Sequence, residues 1–166
     1  MHIALPKYSF VSVFDITADE LRRMGVRAVA FDLDNTTVYD SSFRALKGVG
    51  AWVNAIKQAG FPMMILTNTY PLRAKYYARR FGVDYLADSH KPAPEGFFEA
   101  ARRMGVDISE MAMIGDQLFK DIEGANRAGA VSVRVRPFMV EKLLYPYYRG
   151  IRIREKALFA KYQYDW

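Results

Sequence analysis

The sequence predicts a doubly wound, Rossmann-like α/β sandwich of three layers around a parallel five-stranded sheet. Three observations carry this. Short apolar runs alternate with stretches whose apolar residues recur at helical period. The helical stretches end on glycines, at 60, 82, 105 and 129, the residue that most readily takes the left-handed conformation closing a helix. Repeated strand-helix alternation also demands crossover connections, which are right-handed and yield parallel strands covered on both faces.

The elements follow in order. Thr17 and Glu20 form a capping-box pattern for a short leading helix. RAVAF (27–31) reads as a buried strand, and Val49, Trp52, Val53 and Ile56 then mark a helix running to Gly60. FPMMILTN (61–68) is the second strand. Pro71 suits the first turn of the next helix, which runs through Arg80 and is closed by Gly82. DYLAD (84–88) is a third strand, and a helix from Glu95 to Met104 stops at Gly105. MAMIG (111–115) is a fourth strand, Leu118 to Ala128 a helix ended by Gly129, and AVSVRV (130–135) a fifth strand. The rhythm breaks from about Phe138. The expectation is one domain over 1–166, with a core at about 25–136 and a separate C-terminal segment at 138–166.

Composition narrows the function classes. With 51% apolar residues and 14% aromatics, a chain of 166 residues buries a substantial core. It has no cysteine, which excludes a disulfide scaffold and thiolate metal sites and fits a reducing compartment. The start has no basic stretch leading into a long apolar one, and no apolar run is long enough to span a bilayer. A cytoplasmic protein is the expectation. Lys and Arg number 24 against 18 Asp and Glu, a net charge of +6 that favours an anionic partner.

In an open parallel sheet, ligands bind beyond the carboxyl ends of the strands. Asp32 and Asp34 follow the first predicted strand, Thr67 and Asn68 end the second, Lys91 follows the third and Asp116 the fourth. All fall on one edge. Asp32 and Asp34 stand one residue apart, so strand periodicity turns them to the same side, where their charges repel. Three carboxylates on one edge demand a cation, and oxygen ligands without cysteine or a well-placed histidine favour Mg²⁺. A hydroxyl, backbone N–H groups and a lysine in the same crevice suit a tetrahedral anion. Metal and oxyanion together point to phosphoryl chemistry.

FDLDNTT, LTNT, HKP and GDQLFKD, in that order on consecutive strands, resemble the four motifs of the haloacid-dehalogenase superfamily of Mg²⁺-dependent phosphatases. The likeness covers roughly residues 25–136 and is greatest to the compact YqeG-like branch, subfamily IIIA, which includes phosphatidylglycerophosphate phosphatases. The resemblance implies Asp32 as nucleophile, Asp34 as general acid and base, and Thr67, Asn68 and Lys91 as phosphate holders. It further implies Asp32, Asp34 and Asp116 as the metal site, with Asp121 supporting the metal's water shell. Thr37 departs from the family, which more often carries an apolar residue there, and a differently hydrated turn is expected. Such enzymes work through an aspartyl-phosphate intermediate, in which a carboxylate nucleophile splits hydrolysis into two steps.

Each feature also has a plainer reading. An isolated DxD is more often a turn or cap, and DLDNTT lacks the glycine that a calcium loop needs at its sixth position. Thr67-Asn68 can be a strand-to-helix cap, Asp121 can be first-turn helix electrostatics, and His90 reads as structural or solvated. The ordered set outweighs these readings.

Neither interval in which this family inserts a cap is long enough for one, so an uncapped site is expected, open to large or surface-presented phosphates. The tail from Met139 onward carries Lys142, Arg149, Arg152, Arg154, Lys156 and Lys161 against Glu141, Glu155 and Asp165. It interleaves Tyr145, Tyr147, Tyr148, Phe159, Tyr162, Tyr164 and Trp166. Such a mixture suits a lipid headgroup interface, each near-surface cation adding about 1 kcal/mol on an anionic leaflet. The competing reading packs the rings on the sandwich. The expected function is thus a Mg²⁺-dependent phosphomonoesterase acting on phosphatidylglycerophosphate or another large phosphate, with peripheral contact to an anionic membrane. The alternatives are a soluble sugar or nucleotide phosphatase, or an RNA- or ribosome-binding module with a vestigial site, nucleic acid being the less favoured partner.

Overall fold

The computed structural model describes residues 2–138 and 146–166. Its strands form a single sheet in the order β1-β6-β5-β2-β3-β4, with every neighbouring pair parallel. The elements are β1 (Tyr8–Phe10), α1 (Ala18–Arg23), β2 (Ala28–Phe31), α2 (Val49–Gln58), β3 (Met63–Leu66), α3 (Pro71–Phe81), β4 (Asp84–Leu86), α4 (Glu95–Met104), β5 (Met111–Gly115), α5 (Glu123–Ala128), β6 (Val131–Val135) and α6 (Pro146–Lys161).

The strand count corrects the expectation of five. The sixth, β1, is three residues long and adds to the far edge of β6 in the register Tyr8↔Val133. So short an edge strand, paired with residues far along the chain, leaves no periodic trace in its own sequence.

The two faces of the sheet divide the core. Val29 and Phe31 of β2 turn toward Trp52, Val53 and Ile56 of α2, Tyr77 and Phe81 of α3, and Leu21 of α1. Ala30, with Met64, Leu66 and Met113, turns the other way toward Phe97 and Ala100 of α4 and Ala125 of α5. This alternation is the period-2 geometry of a strand buried on both sides. From β2 the chain winds outward through β3 to β4, then crosses back to β5 on the other flank of β2. The reversal opens a crevice at the carboxyl ends of β2 and β5, where an open sheet binds its ligand.

Two local departures shape that crevice. The helix expected over 118–128 opens as a π-helical turn, Leu118–Ile122, before α5 begins. Between β2 and α2 the chain makes a loop, 32–48, closed by isolated bridges from Val38 to Asp34 and Ala45. No inserted domain interrupts it or residues 67–70.

The tail packs inward. Phe159 is buried with Ala4, Leu5, Leu118 and Ile122 in a third cluster. Its ring and that of Trp166 lie 4.6 and 4.5 Å from the Arg134 guanidinium, and desolvation of that group lowers its pKa to about 10. Arg152 and Glu155, counted at first among surface charges, are buried. Glu141, Lys142 and Tyr145 lie outside the described residues. No helix among the described residues is long and apolar enough to cross a membrane.

Candidate active site

The site begins where β2 ends. The Asp32 N–H donates to the Ile114 carbonyl at 2.9 Å, continuing the pairing of β2 with β5 and fixing the point from which the carboxylate projects. The chain then turns sharply, with the N–H groups of Thr36, Thr37 and Val38 all donating to the Leu33 carbonyl. Asn35 sits at φ 55° within this turn, a left-handed conformation that asparagine tolerates. Thr37 is fully buried and its hydroxyl donates to the Asp32 carbonyl at 3.0 Å. The hydroxyl by which it departs from the family pattern therefore ties the turn internally.

On the neighbouring strand end, Asp116 follows Gly115 and is fully buried. The π-helical turn then carries Asp121 back over Gly115. A Cβ at position 115 would stand 2.3 Å from the Asp121 Cγ, so only glycine admits this approach. The Gln117 N–H donates to Asp121 Oδ2 at 3.0 Å and holds the carboxylate there. Oxygens of Asp32, Asp116 and Asp121 all lie within 4.8 Å of one another.

Lys91 and Arg152 bring positive charge to these carboxylates. Lys91 Nζ donates to Asp121 Oδ1 at 2.6 Å and to the Leu66 carbonyl at 2.7 Å, and lies 3.0 Å from Asp32 Oδ1. Burial pulls the Lys91 pKa down, but Asp121 and Asp32 outweigh it and the net shift is upward. Arg152, reaching in from α6, pairs with Asp116 Oδ2 and lies 2.8 Å from Glu155. Glu155 accepts from the Leu118 N–H at 2.7 Å, so α6 also satisfies the start of the π-helical turn. Thr36 donates to Asp116 Oδ1 at 3.3 Å.

Burial is the largest influence on the Asp116 carboxyl. It outweighs Arg152 and, with the negative charges of Asp121 and Asp32, pushes the pKa up to about 8. Asp121 is pushed up to about 6, burial and Asp32 prevailing over Lys91. Asp116 and Asp121, both pushed toward the neutral form beside the Asp32 carboxylate, make a site whose negative charge is under-compensated, and a hard divalent cation would relieve it. The donor set therefore fits Mg²⁺.

The structure separates the two aspartates of the DxD pair. Asp34 stands outside the trio, held by both terminal nitrogens of Arg73 at 2.7 and 2.8 Å, and it accepts from the Ser41 N–H at 2.9 Å. Each aspartate thus has its own cation, Lys91 for Asp32 and Arg73 for Asp34, which offsets the repulsion inherent in their spacing.

Thr67 is buried and accepts from the Thr69 N–H at 3.2 Å. Asn68 bonds the Lys91 backbone twice, Oδ1 accepting from its N–H at 2.8 Å and Nδ2 donating to its carbonyl at 3.0 Å, and Oδ1 also accepts from the Ser89 hydroxyl. Its amide positions the lysine loop. The residue capping α3 is Tyr70, so neither Thr67 nor Asn68 is that cap. His90 is exposed.

Asp32, Asp34, Thr67, Asn68 and Lys91 line one pocket of about 490 Å³, together with Tyr70, Arg73, Gln117, Lys120 and Tyr148. Arg73 and Arg152 were missed from sequence. Arg73 had a signal, since it shares the inward face of α3 with Ala74, Tyr77, Ala78 and Phe81, a position that an arginine occupies only when paired.

Comparisons with known proteins identify the family and the fold. Residues 43–129 match the family described as haloacid dehalogenase-like hydrolase. The chain is 30% identical over 133 residues to a Bacillus subtilis (strain 168) protein named "Probable phosphatase YqeG", covering 80% of this chain and 77% of that one. It is 26% identical over 168 residues to Phosphatidylglycerophosphate phosphatase 1, chloroplastic/mitochondrial, of Arabidopsis thaliana, covering 95% of this chain and 48% of the plant protein. It therefore spans about half the length of that relative. Among solved structures, an uncharacterised protein from Listeria monocytogenes serotype 4b superposes with a TM-score of 0.56 at 22% identity, over 71% of this chain and 84% of that one. The cobalt-bound deoxy-D-mannose-octulosonate 8-phosphate phosphatase YrbI of Haemophilus influenzae does so with 0.54 at 15% identity, over 67% and 69%. These two likenesses bear on the fold. With the matched family region, the Bacillus relative and the converging acidic trio, the chain belongs to the haloacid dehalogenase-like hydrolase family, among its YqeG-like phosphatases.

Proposed function

We propose that this chain hydrolyses phosphomonoesters in two steps through a phosphorylated Asp32, with Mg²⁺ as cofactor, and that its substrate is a large or surface-presented phosphate of the phosphatidylglycerophosphate type. The observation that carries the reading is the convergence of three buried carboxylates and Lys91 on one pocket.

Asp32, Asp116 and Asp121 would hold the metal. A bound Mg²⁺ supplies the charge neutralisation that lets an anionic nucleophile approach a phosphoryl group. In the first step an Asp32 carboxylate oxygen attacks phosphorus, the bond to the leaving oxygen breaks, and Asp34 gives that oxygen a proton. In the second, water attacks the same phosphorus, Asp34 takes its proton, and phosphate departs from a restored Asp32. Lys91 and Thr67 hold the phosphoryl oxygens. The Arg73 fork holds the Asp34 carboxylate at the pocket, so Arg73 sets where the acid waits between turnovers.

Two facts support the substrate class. The loops at 32–48 and 67–70 insert nothing above the pocket, leaving it accessible to a bulky substrate. The plant relative that matches nearly the whole chain is named for a lipid phosphate.

The test replaces Asp32 by Asn, which keeps the shape and removes the nucleophile. Hydrolysis of an aryl phosphate should fall by about 10⁴-fold or more, and the hydroxylamine-labile phosphoenzyme should vanish. Retention of the labelled intermediate in the folded variant would place the nucleophile elsewhere. A panel of lipid, sugar and nucleotide monoesters, with EDTA or Mg²⁺, assigns substrate and metal.

A further inference from the structure

Outside the pocket, α3 presents a basic surface. Its sequence, PLRAKYYARRF, contains no acid. Its inward face supplies Arg73 to Asp34, and its outward face carries Leu72, Lys75, Tyr76, Arg79 and Arg80, all exposed. These five residues enclose a shallow surface cleft of about 460 Å³. Leu72 is 71% exposed, more than any other large apolar residue described. Phe43 from the 32–48 loop extends the patch, its ring edge-on to Tyr76 at 5.1 Å and itself about half exposed. Tyr70, at the cap of α3, belongs at once to this surface and to the lining of the catalytic pocket.

We infer that the outward face of α3, with Phe43 and Tyr70, docks on an anionic lipid bilayer and brings the mouth of the pocket to the headgroups. The inference deepens the lipid-phosphate reading and rests on it for its purpose, though binding itself is independent of catalysis. Three features select this occupant. Three cations with no acid on the same helix complement an anionic surface. Exposed leucine, tyrosine and phenylalanine among them suit the boundary between headgroups and acyl chains. The helix starts at the carboxyl edge of the sheet, so its Leu72 end adjoins the pocket, as the shared Tyr70 records.

The tail is the weaker candidate for the same role. Its Arg152 is buried on Asp116, its Phe159 ring is in the core, and Arg154 and Lys156 lie over the rings of Phe119 and Trp166 at 5.0 and 5.5 Å.

The experiment measures co-sedimentation of the full chain with vesicles of phosphatidylcholine, with and without phosphatidylglycerol. The triple variant Lys75→Gln, Arg79→Gln, Arg80→Gln should bind the anionic vesicles roughly a hundredfold more weakly, at roughly fivefold per cation. Leu72→Ser should weaken binding that survives high salt. Both variants should hydrolyse a soluble aryl phosphate at the parental rate, because none of the four residues lines the pocket. Parental vesicle binding by the triple variant overturns the inference. So does loss of binding only in a tail variant, Arg149→Gln, Arg154→Gln, Lys156→Gln, or binding of RNA in preference to vesicles. If vesicle binding falls as expected but the parent hydrolyses no lipid phosphate, the docking surface stands and the substrate reading fails.

Discussion

Arg152→Met tests whether the C-terminal helix is part of the catalytic centre. Methionine keeps much of the side-chain volume and removes the charge. The guanidinium pairs with Asp116 and lies 2.8 Å from Glu155, both fully buried, so its loss strips both carboxyls of that partner, while Lys91 stays engaged with Asp32 and Asp121. Removing one partner of a buried pair costs about 3–5 kcal/mol, because the other is left uncompensated. For a chain of this size each kcal/mol moves Tm by about 2–4 °C, so a fall of roughly 6–20 °C is expected at pH 8. The deficit should shrink at pH 6, where a carboxyl titrating at about 8 takes up a proton and no longer needs the guanidinium. Arg152→Lys should recover part of the loss, keeping the charge without the planar fork. Thermal melts and aryl phosphate hydrolysis read both effects, with the exposed Arg149→Met as control. A Tm within 2 °C of the parent, with unaltered hydrolysis, would refute the docking of α6 on Asp116.

Three further outcomes follow from the acidic trio. In EDTA the folded protein retains a proton on Asp116, with a pKa of about 8, that the unfolded chain releases near 3.8; stability should therefore fall as pH rises from about 4 to 8, and urea midpoints should show Asp116→Asn flattening this slope. Mg²⁺, which binds the ionised carboxylates, should stabilise the parent most at the upper end of that range. Gly115→Ala drives a methyl into Asp121 and should cost about 1–3 kcal/mol; loss of the Mg²⁺-induced rise in Tm would show that the metal depends on Asp121, and an intact rise would remove it from the ligand set.

The strand-helix alternation, the closing glycines and the edge on which the polar motifs gather were legible in the sequence, because each follows from periodicities of a few residues and from the fixed handedness of crossovers. The motif order alone brought Asp32, Lys91 and Asp116 to one crevice. What the tertiary structure decided is pairing. Asp34 reads as a twin of Asp32, yet it lies in the Arg73 fork. Asp121 reads as a supporting group, yet a π-helical turn over a glycine places it in the trio. Arg152 counts toward a basic tail, yet it is buried on Asp116. β1 finds its partner only across the sheet. The physical reason is common to all four: whether a charge is solvated or buried depends on which face of its element meets another element distant in sequence, and that contact is decided by packing between elements, which no local pattern records.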